Sequence, residues 1–206
     1  MDKMNYKNQK VIPDMLNKII KRIIDIVGSS IGIIITFPVI LFFSIAVIIE
    51  TPGFPIYSHE RLGINGKKFR IYKIRSMYKD AEKNGAMWAV ENDSRITKVG
   101  GFIRKTRIDE LPQLLNIFLG HMSIVGPRPE REEFALEFGK TIGNFHERLL
   151  VKPGLTGLAQ VNGGYDLTPE EKLQYDLEYI KKMNLLTDLR IIIKTVSVII
   201  TGEGAR

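Results

Sequence analysis

The sequence predicts an α+β protein, mainly helical, in which an N-terminal membrane helix and a short β-hairpin precede a compact helical domain on the membrane surface. Three observations carry this. Residues 26–49, IVGSSIGIIITFPVILFFSIAVII, contain no charged side chain. Residues 55–77 are rich in Ile, Tyr and Phe and are divided by an Asn-Gly pair, the mark of a tight hairpin. Helical patterns with readable starts and stops occupy much of the chain beyond residue 97.

The charge-free run is long enough to cross a hydrocarbon core of about 30 Å as a helix. It is too long for a signal peptide and lacks a small-residue cleavage site. Lys18, Lys21 and Arg22 flank it on one side; Arg61, Lys67, Lys68, Arg70, Lys73 and Arg75 lie on the other. Basic flanks favour the cytoplasmic side of a membrane. A single span must send one of them outward, whereas a re-entrant helix that enters and leaves by the same face satisfies both. Pro38 removes a backbone hydrogen bond in mid-run and favours a kink. Spanning helices tolerate proline as well, so the residues favour re-entry without deciding it. The chain thus divides into a polar segment (1–17) with a short amphipathic helix from near Pro13, a membrane-embedded helix (18–50), and a domain (51–206).

A length of 206 residues suffices for one domain with a sizeable core. The net charge of +7 points to an anionic partner: anionic lipid, nucleic acid or a phosphorylated substrate. The absence of cysteine excludes disulfides, thiolate catalysis and cysteine-built zinc sites. His59, His121 and His146 show no pair at ligand spacing and read as surface or packing residues.

After the TPGFP turn comes the hairpin, reversing at INGK. Residues 79–98 are polar and read as a loop over a site. Helical patterns cover about 98–107 and 110–119, the second closed by Gly120. GPRPEREEF reads as a stiff turn feeding a helix over about 129–138. KPGLTGLAQVNGGYD is loop-rich, with glycines that permit close backbone approach to a ligand. Thr168, Pro169 and Glu171 make a capping-box start, and Leu173, Leu177 and Ile180 share one face of the helix it opens. The last helix, from about Asp188, carries Arg190 and Lys194 one turn apart and a broad apolar face. That face suits a core position or the bilayer surface equally.

The stretch RKTRIDELPQLLN sets Asp109 and Glu110 side by side at the start of an apolar helix. Its plain reading is a cap: Asp is a favoured N-cap, acids suit a helix N-terminus, and Pro112 is tolerated in a first turn. The surrounding cations suggest more. Lys73, Arg75, Arg104, Lys105, Arg107 and Arg128 could neutralise a diphosphate while Asp109 or Glu110 holds Mg²⁺ or attacks phosphorus. A solvated basic face or an anionic-lipid contact accounts for the cations equally well. There is no P-loop and no G-x-G-x-x-G, and no aromatic interleaving of the kind that marks nucleic-acid modules.

Four motifs, YKIRSM, RKTRIDELPQLLN, GHMSIVGPRP and KPGLTGLAQVNG, occur in this order. Together they resemble the bacterial sugar transferases, monotopic phosphoglycosyl transferases, over about Lys21 to Ala205. The resemblance implies transfer of a phospho-sugar from a UDP-sugar to undecaprenyl phosphate with release of UMP. It implies a site at the cytoplasmic face of the bacterial inner membrane and a place at the first membrane step of polysaccharide or glycoconjugate assembly. The dyad maps to Asp109 and Glu110, with Asp109 forming a covalent phospho-sugar and Mg²⁺ held at the pair. Substrate contacts map to Lys73, Arg75 and Arg104 at the phosphates and Arg128 at the nucleotide. The family's membrane helix breaks at a Ser-Pro pair and re-enters; here the pair is Phe37-Pro38, so the break rests on Pro38. Larger relatives carry further transmembrane helices ahead of this unit, and the chain reads as the minimal form. Which sugar is carried is not legible. A lipid-phosphate phosphatase or head-group transferase using the same carboxylates, and a non-catalytic scaffold for anionic lipid, are the alternatives.

Overall fold

The computed structural model describes residues 15–81, 83 and 93–201. The N-terminal residues up to 14 and the centre of the expected 79–98 loop lie outside the described residues. Helix α1 (Met15–Glu50) is continuous. It takes in both the amphipathic turn expected from Pro13 and the charge-free run, so the boundary drawn at residue 17 falls inside a helix. Pro38 lies within it. The Ser30 and Thr36 hydroxyls donate to the carbonyls of Ile26 and Gly32, one turn back, at 2.7 Å each. Bonds of this kind often accompany bends in helices, and Thr36 places one next to Pro38 within the continuous helix.

One stripe of α1 is buried, at Asp25, Ser29, Ser44 and Val47. The rest exposes Ile34, Ile35, Phe37, Phe42 and Ile49, an apolar surface suited to lipid rather than water. The helix is long and apolar enough to cross a membrane, and the protein is membrane-associated through it.

The same domain grips α1 near both ends. Near the N-terminus, Lys21 pairs with Asp188 at 2.6 Å, and Asp25 accepts from Ser123 Oγ (3.0 Å) and Ile124 N (2.9 Å). Near the C-terminus, Val47 is buried with Ile74 and Ile103, and Glu50 accepts from Lys98 N and Val99 N.

Strands β1 (Ile56–Leu62) and β2 (Lys68–Ile74) form the expected antiparallel hairpin, with Tyr57 opposite Lys73. Asn65 (φ 54°) and Gly66 (φ 73°) take the positive φ that a twisted hairpin turn requires, and Lys67 N closes it on Ile64 O at 3.2 Å.

The two helical patterns beyond the loop are shorter than their periodicity suggests: α2 (Lys98–Lys105) and α3 (Gln113–Phe118), with a 3₁₀ turn (Ile108–Glu110) between them. Arg22 closes the end of α3, donating to Ile117 O and Phe118 O at 2.7 Å each. After β3 (Ser123–Val125), helix α4 (Glu132–Thr141) starts three residues later than expected. Pro127 and Pro129 hold their predecessors extended and delay it.

Next come β4 (Gly154–Thr156), α5 (Leu158–Val161), α6 (Pro169–Lys182) and α7 (Leu185–Thr201). The capping box on α6 forms as expected, and Leu173 and Ile180 are buried with Leu177 packed nearby. Helix α7 begins before Asp188 because Asn184 Oδ1 accepts from Thr187 N at 2.9 Å. Ile191 enters the core, while Leu186, Leu189, Ile193 and Val196 stay exposed.

The pairing of β3 with β4, parallel and joining Ser123 to Gly154 and Val125 to Thr156, was not legible in the sequence. It also corrects the reading of two of the glycines of KPGLTGLAQVNGGYD, Gly154 and Gly157. A Cβ on Gly154 would lie 2.1 Å from Gly126 N, and one on Gly157 would lie 2.2 Å from Gly126 O. These glycines admit the backbone of the GPRP turn, not a ligand. Gly154→Ala is expected to prise β3 from β4 and lower the melting temperature by about 2–12 °C, as measured by thermal denaturation in detergent. An unchanged melting temperature would contradict this packing.

Candidate active site

The dyad sits where α2 gives out. Arg107 adopts a left-handed conformation (φ 60°, ψ 12°), uncommon for a residue with a side chain. The reversal lets Ile108–Glu110 close a single 3₁₀ turn, with Glu110 N on Arg107 O at 3.1 Å. Both carboxylates are buried. Neither is a helix cap: α3 starts from Pro112 with no side-chain cap, which corrects the plain reading of Asp109.

Asn116, in the same motif, ties this segment to the hairpin. It is fully buried, accepts from Tyr72 N at 3.1 Å and donates to Arg70 O at 2.7 Å. Those two bonds hold β2 in register with α3 and carry Lys73, the next residue, to the dyad. Lys73 Nζ donates to Glu110 Oε1 at 2.8 Å and stands 3.7 Å from Asp109 Oδ2. From the opposite side the Arg128 guanidinium reaches Glu110, one nitrogen on Oε1 and the other on Oε2 at 3.4 Å.

The two acids therefore differ. Burial alone would raise Glu110, but Arg128 and Lys73 outweigh it and hold the carboxyl well below the usual range. Burial pushes Asp109 up; Lys73 pulls it back and the neighbouring Glu110 charge raises it again. Glu110 is a clamped anion. Asp109 meets the same lysine only at a distance beyond hydrogen bonding.

Asp109 lines a cavity of about 430 Å³ that also takes in Lys73, Arg75, Arg104, Arg107 and Arg128. The four cations expected at the substrate, Lys73, Arg75, Arg104 and Arg128, therefore share one cavity with the dyad's aspartate. Arg75 is partly diverted, since its guanidinium donates to Thr51 O and to Thr51 Oγ1 just past the end of α1. Arg104 Nε is buried without a partner. Pro38 lies in α1 and is not among the cavity's lining residues.

Among the described residues no group of three or more His, Asp or Glu side chains could hold a metal. Asp109 and Glu110 still suit Mg²⁺, which takes one or two carboxylates and draws its other ligands from phosphates and water. Asp109 is the better donor, because Lys73 and Arg128 already occupy Glu110.

The family model for the bacterial sugar transferases matches residues 16–202. The chain belongs to that family. It is 40% identical over 206 residues to a UDP-N-acetylgalactosamine-undecaprenyl-phosphate N-acetylgalactosaminephosphotransferase of Aeromonas hydrophila, covering 98% of this chain and 49% of the relative. It is 40% identical over 200 residues to the galactosyl transferase CpsE of Streptococcus agalactiae serotype III (strain NEM316), covering 91% and 44%. It is 38% identical over 186 residues to the UDP-glucose:undecaprenyl-phosphate glucose-1-phosphate transferase of Escherichia coli (strain K12), covering 88% and 40%. The chain spans about half the length of these relatives.

Some positioning residues of this bacterial sugar transferase were missed in its sequence. Arg148 donates to Arg128 O at 3.0 Å, and its side chain lies 2.8 Å from Asp176 on α6. It thereby braces the GPRP turn from behind. Nothing local to either residue marks this pair, because it forms only when α6 folds back. Arg61 joins from β1, donating to Pro129 O at 3.2 Å and Glu130 at 3.1 Å.

Burial raises the Asp176 carboxyl to about 6, against the pull of Arg148. With the folded value above the unfolded one, this group favours the fold most below about pH 4 and loses that contribution as pH rises through 6. Asp176→Asn does not titrate. The variant's melting temperature relative to the wild type is therefore expected to rise between pH 4.5 and 7.5. A difference independent of pH would show that Asp176 keeps an ordinary carboxyl.

Proposed function

We propose that the chain transfers a phospho-sugar from a UDP-sugar to undecaprenyl phosphate, releasing UMP, through a covalent intermediate on Asp109. The observation that carries this is the division of labour in the dyad. Glu110 is locked between Lys73 and Arg128. Asp109 faces the cation-lined cavity and stands 3.7 Å from Lys73, too far for a hydrogen bond. The names of the relatives support the substrates: UDP-N-acetylgalactosamine or UDP-glucose as donor, undecaprenyl phosphate as acceptor. Their sugars differ, so the donor is assigned as a class.

In this reading an Asp109 oxygen attacks the phosphorus that bears the sugar. A bond forms from Asp109 to that phosphorus, the bridging P–O bond breaks, and UMP leaves with the bridging oxygen. An oxygen of undecaprenyl phosphate then attacks the same phosphorus and releases Asp109. Lys73, Arg104 and Arg128 offset the charge of the phosphates, without which a carboxylate could not approach them. Glu110 holds Lys73 and Arg128 in place. Mg²⁺ bound at Asp109 and the phosphates would add a further positive charge there. A covalent step lets a donor from water and an acceptor from lipid use one site in turn.

We further propose that α1 re-enters the cytoplasmic leaflet instead of spanning. Its 36 residues would measure about 54 Å if straight, yet one domain holds it from Lys21 to Glu50. A spanning α1 would draw part of that basic domain into the bilayer.

With UDP-sugar and no acceptor, the wild type is expected to release UMP stoichiometric with enzyme and to carry label on the Asp109 peptide. Asp109→Asn is expected to lower turnover about 10³-fold or more and to abolish the label, with the melting temperature little changed. Near-normal turnover of that variant would sink the mechanism.

The cysteine-free chain also permits a clean topology test. Lys18→Cys and Lys67→Cys should both resist a membrane-impermeant thiol reagent in intact cells and both react after permeabilisation. Reaction at residue 18 alone in intact cells would establish a full span.

A further inference from the structure

A pair of cations meets outside the active-site cavity. Arg22 of α1 and Lys152, just before β4, are not among the cavity's lining residues, and neither is Gly120 between them. Arg22 donates to Ile117 O and Phe118 O, the last carbonyls of α3. Gly120 follows that helix end with φ 88°, a conformation that favours glycine. Its missing side chain leaves a gap. A Cβ on Gly120 would stand 3.3 Å from a terminal nitrogen of Arg22 and 3.6 Å from Lys152 Nζ. The two cationic heads therefore flank one spot.

Among the described residues no acid closes this gap. Lys152 is half-buried and has no ion-pair partner among them. Burial pushes its ammonium below the ordinary value, and Arg22 and Lys21 push the same way against the pull of Asp25. The nearby acids are committed elsewhere. Asp25 accepts from Ser123 Oγ and Ile124 N, and Asp188 accepts from Lys21 and from the Tyr179 hydroxyl. Two cations facing one gap repel each other until an anion enters it.

The surroundings identify the source of that anion. Ile19, Arg22, Ile23 and Ile26 recur at helical spacing along one side of α1, and the three isoleucines are exposed. Phe118 and Leu119 are exposed at the end of α3, directly before Gly120. A cationic spot thus opens at the edge of the apolar surface through which the protein is membrane-associated.

We propose that Arg22 and Lys152 hold the phosphodiester of one anionic phospholipid, seated at the junction of α1 and α3. The phosphate accepts from the Lys152 ammonium and from guanidinium N–H groups that α3 leaves unused. The acyl chains lie along Ile19, Ile23 and Ile26. A headgroup with its own ammonium is the poorer ligand, because Asp25 and Asp188 already have partners.

Native mass spectrometry of the purified full chain tests this, in neutral-detergent micelles doped equally with phosphatidylglycerol and phosphatidylethanolamine. The wild type is expected to retain one phosphatidylglycerol and to prefer it about 5-fold or more. Lys152→Met keeps most of the side chain's length without its charge, and should lower that affinity about 10-fold or more. Lys152→Arg keeps the cation, and Lys67→Met removes an exposed one at the hairpin turn; both should stay within about 3-fold of wild type. Lys152→Met should melt no lower than the wild type, because the fold disfavours the charge it removes. Equal losses in the Lys152→Met and Lys67→Met variants would show general attraction and overturn the site. Equal retention of the two lipids by the wild type would overturn it as well. Displacement of phosphatidylglycerol by excess inorganic phosphate would make the spot a pocket for a free anion instead. A raised KM for undecaprenyl phosphate in Lys152→Met would give the spot to the acceptor, and would equally overturn the proposal.

Discussion

The ion triad of buried Glu110 with half-buried Lys73 and Arg128 is the interaction on which the rest of the site depends. A carboxylate in so enclosed a position is tolerable only if cations and hydrogen bonds replace the lost water, and removing one partner from such a cluster commonly costs about 3–5 kcal/mol. The three residues come from three segments: β2, the 3₁₀ turn and the stretch after β3. Each must be set independently, and much of the fold serves that end. Asn116 sets β2, Arg107 in its left-handed conformation sets the turn, and Arg148 with Asp176 braces the GPRP segment.

The same economy appears in how the domain holds α1. Charged and polar side chains of the helix, Lys21, Arg22, Asp25 and Glu50, all find partners on the domain rather than in solvent. Arg22 and Glu50 do so by closing helices, one donating to the last carbonyls of α3 and the other accepting from the first amides of α2. The charges that flank the apolar run are therefore structural contacts between the helix and the domain. This fixes the position of the cavity relative to the helix.

Much was legible in the sequence wherever the determinant is local. The apolar run, the Asn-Gly turn, and the capping box at Thr168 each depend on neighbours within a few residues, and each formed as read. The candidate residues of the dyad and the cations were visible too, as charged groups in motifs. Local signals failed where geometry is imposed from a distance. Asp109 looks like a cap because its neighbours resemble a helix start, yet Arg107 reverses the chain and places it in a 3₁₀ turn instead. The glycines of KPGLTG look like ligand contacts because glycine reports only that something comes close, not what.

The sequence by itself determined which segments are helix, hairpin and continuously apolar, because hydrophobic period, capping and turn chemistry act over a few residues. It also determined the stock of charges available for phosphate chemistry. Only the tertiary structure decided which carboxylate is clamped and which is left open to the cavity. That distinction depends on Lys73 and Arg128 arriving from 37 residues before and 18 residues after Glu110. Burial then amplifies the asymmetry, since removing water strengthens the pull of whichever cation is closest. No pattern along the chain encodes that proximity; it exists once β2, α3 and the β3–β4 pair have packed together.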